Sequence, residues 1–223
     1  MNATDRFIDL SHTIRDGMIT YPGLPGPRIS AHMSHADSRP NYAPGTEFYI
    51  GKIELVANTG TYLDSPFHRF AGEADLAGLP LASLADLDGI VFRADHHQGR
   101  AIGPEVFAGR ELAGKAVLVH TGWSAYFGSE RYFSGHPFLT REAAARLREA
   151  GAALVGIDSL NIDDNTDGSR PVHTLLLEAA IPVVEHLTNL EQLPERGFRF
   201  FAVPVKIEGL GSFPVRAFAV QGD

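Results

Sequence analysis

NTGTYLDSPFH, residues 58–68, follows the strand-like run GKIELVA (51–57) and carries Asn58, Tyr62, Asp64 and His68, all at even positions. Alternate side chains of an extended chain share a face, so Asn58, Tyr62 and Asp64 point the same way if the stretch is a strand. That arrangement lets one segment present several oxygen and nitrogen donors to one point in space. Two of the four are nevertheless Asn and Tyr, where a metal site would prefer imidazole.

Upstream of this stretch, RFIDLSHTI (6–14) reads as a short strand, and YPGLPGPRI (21–29) is too rich in Pro and Gly to be regular. Residues 28–45 read as loop, and TEFYIGKIELVAN (46–58) as a strand pair or one long strand broken at Gly51. Downstream, LAGLPLASLADLDG (76–89) is loop with at most one helical turn, and GPEVFAGREL (103–112) is a short helix. IVFRAD (90–95), KAVLVHTGW (115–123) and AALVGID (152–158) read as buried strands, as do IPVVEHL (181–187), FRFFAVPVKIEG (198–209) and PVRAFAVQ (214–221). TREAAARLREAG (140–151) is the clearest helix, with Thr140 as N-cap and Gly151 as its stop. PVHTLLLEAA (171–180) is a second helix, with Pro171 in its first turn. Helices intervene mainly between 140 and 185, which points to one α/β domain over residues 1–223 with a mixed sheet.

Composition excludes several classes of function. A net charge of −8 with no basic run argues against nucleic acid or an anionic membrane as partner. The lack of cysteine removes disulfides, thiolate metal sites and thiol nucleophiles, and fits a reducing compartment. The opening MNATDRFIDLSH has neither the basic flank nor the apolar core of a signal peptide. No apolar run approaches the roughly twenty residues of a membrane helix. The expectation is a soluble, cytoplasmic protein.

Ten histidines occur. His32, His35, His96, His97 and His186 read as incidental, His120 as a polar end to a core strand, and His136 as part of an aromatic loop. A more telling set joins three segments: Asp64 and His68 here, His173 in the first turn of the second helix, and Glu185 at the end of a short apolar strand. Strand ends and first helical turns expose functional groups on rigid backbone. Two carboxylates and an imidazole suit Zn²⁺ or Mn²⁺, although spacing alone does not bring the three segments together.

Taken together, these motifs resemble the cyclase-like metal-dependent hydrolases, a family that includes kynurenine formamidase, isatin hydrolase and ring-closing enzymes of aromatic polyketide pathways. FIDLSHTIRDGMITYPG (7–23), VLVHTGW (117–123) and the block from LVGID (154–158) to VVEHLTNL (183–190) resemble further family segments. NTGTYLDSPFH matches the signature His-x-Gly-Thr-His-x-Asp-x-Pro-x-His at Gly60, Thr61, Asp64, Pro66 and His68. It departs at Asn58 and Tyr62, the places of the two histidines that complete one ion site in two-metal members.

The resemblance implies a three-layer swivelling β/β/α fold and a homo-oligomer. It implies a single divalent ion, Zn²⁺ or Mn²⁺, held weakly if at all by Asp64, His173 and Glu185. His68 would be the general acid or base, with Tyr62 and Asn58 orienting substrate or donating to a developing oxyanion. Trp123 and AYFGSERYF (125–133) would border a pocket for an aryl group. The implied activity is hydrolysis of a small cyclic or aryl amide, lactone or ester. The alternatives are a metal-independent cyclase or isomerase using Tyr62 and His68 for acid–base work, and a non-catalytic relative that only binds a ligand.

Overall fold

Apolar runs at 87–93, 116–120, 154–157 and 183–185 lie side by side as the parallel centre of a large sheet in the computed structural model, which describes residues 6–222. The part of the signal-sequence expectation that concerns residues 1–5 lies outside the described residues. In chain order the strands are β1 (Phe7–Asp9), β2 (Arg28–Met33), β3 (Ile50–Glu54), β4 (Tyr62–Asp64), β5 (Leu87–Arg93), β6 (Ala101–Ile102) and β7 (Ala116–His120). They continue as β8 (Phe138–Leu139), β9 (Leu154–Ile157), β10 (Val183–Glu185), β11 (Arg196–Phe201), β12 (Ser212–Pro214) and β13 (Phe218–Gln221). The helices are α1 (His35–Ser38, a single turn), α2 (Arg141–Glu149) and α3 (Pro171–Glu178).

Nine strands form one mixed sheet in the order β1-β13-β11-β5-β7-β9-β10-β4-β12. β5, β7, β9 and β10 are parallel, and antiparallel strands extend both sides. Alternation along the central strands divides their side chains between two cores. Val117, Val119, Val155, Ile157 and Val183 pack with Ala143, Ala144 and Leu147 of α2 and Val172, Leu176 and Leu177 of α3. Leu118, Leu154 and Val184 face the other way and pack with Leu10, Leu63, Phe198, Phe200 and Ala219 from the curled antiparallel flanks. These layers make the β/β/α arrangement that the resemblance implies, with a mixed sheet.

α2 begins at Thr140, whose hydroxyl accepts from the Ala143 amide at 3.2 Å, and Gly151 at φ 71° ends the turn. Several elements differ from the sequence reading. Residues 28–33 are a strand because β2 finds its partner in β3, with Ile29 opposite Ile53. The stretch 46–58 supplies β3 alone, in which Gly51 pairs with Ala31 next to a register shift in β2 between Ala31 and Met33. The expected helix at 103–112 is a 3₁₀ turn over Pro104–Phe107. β11 stops at Phe201, ahead of Pro204, which has no amide to give to a ladder.

Candidate active site

β4 is inserted between β10 and β12, and its register places Glu185 opposite Tyr62 and Ser212 opposite Asp64. Leu63 points into the core, so Tyr62 and Asp64 share the opposite face, as the alternation in the sequence requires. Gly60, at φ 67°, makes the left-handed turn that carries the chain into β4. The residues directly opposite bond to one another. The Tyr62 hydroxyl donates to Glu185 Oε2 at 2.5 Å, and the Ser212 hydroxyl donates to Asp64 Oδ1.

α3 brings His173 against this face. Its Nε2 lies 3.5 Å from Asp64 Oδ2 and 3.6 Å from Glu185 Oε1. Its Nδ1 bonds Asp163 Oδ2 at 2.7 Å, and the same carboxylate accepts from the amides of Val172 (2.7 Å) and His173 (3.0 Å). His68 Nδ1 meets the Ser212 oxygen at 2.8 Å and lies 3.6 Å from Asp64 Oδ1. Asp64, His68 and His173 each offer a ligand atom within 4.8 Å of the others. The three segments that spacing could not join are therefore in contact.

Electrostatics favour a positive charge between the carboxylates. Burial opposes ionisation of His173, but its hydrogen bond to Asp163 and the nearby carboxylates of Asp64 and Glu185 raise it to about 10. Burial likewise opposes the Asp64 carboxylate, and His68, His173 and Ser212 still hold it below its ordinary value. Burial and the charge of Asp64 push Glu185 up to about 7, against the opposing pull of His173 and Tyr62. Burial and the two carboxylates push the Tyr62 phenol well above its ordinary range, so it remains a neutral donor.

The residues fit a single cation. Asp64 Oδ2 and His173 Nε2 are both buried and without a hydrogen-bond partner, and one carboxylate oxygen with one imidazole nitrogen is a donor set for Zn²⁺ or Mn²⁺. Orphaned buried polar atoms are costly, and an ion would satisfy both. The Asn58 and Tyr62 side of the site does not fit a second ion. Asn58 offers only a neutral amide, and the Tyr62 phenol spends its proton on Glu185.

A cavity of ≈ 300 Å³ opens above these groups. Asn58, Tyr62, His68, His173 and Glu185 line it, joined by Tyr21, Leu24, Arg69, Asn161 and Arg170. Trp123 lies elsewhere. Its indole N–H donates to the Tyr132 carbonyl at 3.1 Å inside an aromatic cluster with Leu160, so the structure puts it in a core and not on the wall of this cavity. Asp95, His96 and His97 also bring donor atoms within 4.8 Å of one another, but on a turn where His96 Nδ1 is already engaged by the Thr121 carbonyl at 2.8 Å.

Asp163, Ser212 and Asn161 escaped the sequence reading. Asp163 stands in a segment with several other acidic residues, yet it is fully buried and orients His173. Ser212 lies 148 residues from Asp64 and is found only through strand pairing. His186, read as incidental, is also fully buried; its Nδ1 meets the Tyr132 hydroxyl at 2.9 Å and its carbonyl accepts from Thr61.

The curled mixed sheet with a His- and carboxylate-lined cavity at β4, β10 and α3 defines a cyclase-like α/β protein. Residues 8–164 match the family described as putative cyclase, and the chain belongs to that family. Among curated proteins it is 26% identical to kynurenine formamidase of Bacillus cereus (strain ATCC 10987 / NRS 248), over 96% of this chain and 97% of that one. It is 25% identical to kynurenine formamidase of Polaromonas naphthalenivorans (strain CJ2), over 96% and 90%. Among solved structures, isatin hydrolase A from Ralstonia solanacearum superposes with TM-score 0.82 at 25% identity, over 97% of this chain and 92% of that one. Isatin hydrolase A from Labrenzia aggregata shares the fold with TM-score 0.84 at 23% identity, over 98% and 94%.

Proposed function

We propose that this chain hydrolyses a small aryl or cyclic amide, lactone or ester with the help of one divalent ion, Zn²⁺ or Mn²⁺, held by Asp64, His173 and Glu185. The observation that carries this reading is the pair of orphaned, buried atoms Asp64 Oδ2 and His173 Nε2, 3.5 Å apart beside a small-molecule-sized cavity. The curated relatives, named kynurenine formamidases, support the amide or ester class.

A divalent ion bound there supplies Lewis acidity toward a carbonyl oxygen and toward water. The chain's own groups handle the proton. Because the Ser212 hydroxyl donates to Asp64, it can only accept from His68, so His68 carries its hydrogen on Nδ1 and keeps a lone pair on Nε2. Nε2 takes the proton of the attacking water and returns it to the leaving nitrogen or oxygen. Tyr62, with its proton committed to Glu185, acts as a positioning residue: the phenol with the Ile162 amide (2.7 Å) fixes the Glu185 carboxylate. Asn161 and Tyr21 complete the lining of the cavity.

Metal analysis of protein purified without chelator or added salts tests this reading. Close to one ion per chain is expected, with loss of the ion and of aryl formamide hydrolysis in Asp64→Asn. Activity that survives complete chelation would move the assignment to metal-independent cyclase chemistry. A chain that takes up neither Zn²⁺ nor Mn²⁺ at millimolar concentration, and leaves aryl formamides and lactones intact, is not a hydrolase of this kind.

The same reading includes a homo-oligomer. β2 and β3 form a two-stranded ribbon separate from the main sheet, with Ile29, Phe48, Tyr49, Ile50 and Ile53 exposed on or beside it. An isolated hairpin is marginal in water, and on one face of this one the exposed Ile29 and Ile53 stand opposite each other, apolar surface that suits an interaction. A second copy of the chain covers it.

A further inference from the structure

We infer that Arg69 and Arg170 form an anion-binding subsite on the cavity wall, so that the substrate carries a carboxylate or similar acid group close to its scissile bond. The inference rests on the hydrolase reading for its chemistry and on the two guanidinium groups for its geometry. Both arginines line the same cavity as His68, His173 and Glu185. Among the described residues neither has a carboxylate within salt-bridge distance, and the partners they do have are neutral.

Arg69 Nε donates to Thr174 Oγ1 at 3.1 Å, which leaves its terminal nitrogens without a hydrogen bond among the described residues. Arg170 Nη1 donates to Asn165 Oδ1 at 2.8 Å and to the Asp164 carbonyl at 3.3 Å, and Tyr21 lines the same cavity. Such contacts aim a cation without neutralising it. Arg170 also adopts φ 46°, ψ 59° at the start of α3, a left-handed conformation that is uncommon for a residue with a side chain and that persists only where its surroundings impose it.

The position of the pair fixes what it can recognise. Arg69 follows His68 and bonds Thr174, which follows His173, while the His68 and His173 rings are 5.8 Å apart. The Arg69–Thr174 contact is thus one residue step beyond the reacting centre. An acid group on an adjacent ring position or a short side chain would reach it, and a planar guanidinium matches a carboxylate through two parallel N–H···O bonds. In a chain of net charge −8, the two guanidinium groups place positive charge on the wall of this cavity.

Equilibrium binding of benzoate and of benzamide to the metal-loaded protein at low salt provides the test. Benzoate is expected to bind about tenfold tighter than benzamide, the order of a charge-assisted pair. That ratio should fall about tenfold in Arg69→Gln and in Arg170→Gln, and be partly kept in Arg69→Lys. Equal binding of the two probes, or no benzoate binding at millimolar concentration, overturns the inference. So does a preference that persists in both glutamine variants, because the anion would then be held at the Asp64–His173 centre. Should Arg170→Gln fail to fold, Arg69→Gln carries the comparison alone. Binding needs no turnover, so a protein that proves inactive still returns the ratio, and failure of the hydrolase reading is seen separately.

Discussion

At the scale of single residues, His173 depends on Asp163, which accepts from its ring nitrogen and from two amides of the first turn of α3. A ligand imidazole usually donates its other nitrogen to such a partner, and losing the partner costs about 10–100-fold in metal affinity. Asp163→Ala is therefore expected to weaken Zn²⁺ or Mn²⁺ binding by that factor in a chelator competition titration. A purely structural cap would lower the melting temperature, by about 1 kcal/mol of stability, and leave the affinity unchanged. Asp64, His68, His173 and Glu185 were legible in the sequence because a spaced motif and two strand or helix ends carry them. Asp163 was not. It stands among Asp158, Asp164 and Asp167 in a segment where each acid satisfies some nearby amide, and nothing in sequence distance marks the one that faces a histidine.

At the scale of elements, the site is made by the insertion of β4 between β10 and β12. Sequence alternation correctly put Tyr62 and Asp64 on one face, but the identity of the flanking strands, and so the pairs Tyr62–Glu185 and Asp64–Ser212, depends on pairing across more than a hundred residues. The chain entering β12 passes so close to His68 that a Cβ on Gly211 would lie 2.6 Å from the His68 N and Cα atoms. Gly211→Ala is expected to push His68 out of line with Ser212, lowering kcat more than raising KM, and to cost about 1–3 kcal/mol by overpacking. Steady-state kinetics beside thermal unfolding would check it, and unchanged kcat in a well-folded variant would remove His68 from the proton pathway. The strand at 28–33 was missed for a related reason. RISAHM alternates polar and apolar residues, but the alternation buries neither face and the preceding Pro–Gly run masks it; β3 is what pairs with it.

At the scale of the whole molecule, the buried runs of the parallel centre and the two amphipathic helices declared the α/β class, whereas the ribbon of β2 and β3 shows why burial patterns fall short there. Its residues are exposed almost throughout, and its exposed Ile29 and Ile53 are what the proposed homo-oligomer would cover. Charging that face, as in Ile29→Asp with Ile53→Asp, is expected to convert an oligomer to monomers in light scattering. A wild-type chain that is already monomeric at micromolar concentration would place the ribbon's partner elsewhere. The neutral phenol of Tyr62 beside Glu185 has its own consequence for the assembled site. One dication facing the carboxylates of Asp64 and Glu185 brings the local sum to zero, whereas a dinuclear centre would leave it doubly positive. A net-neutral centre exerts no long-range pull on anions, so attraction and discrimination by charge fall to whatever cations the outer wall provides.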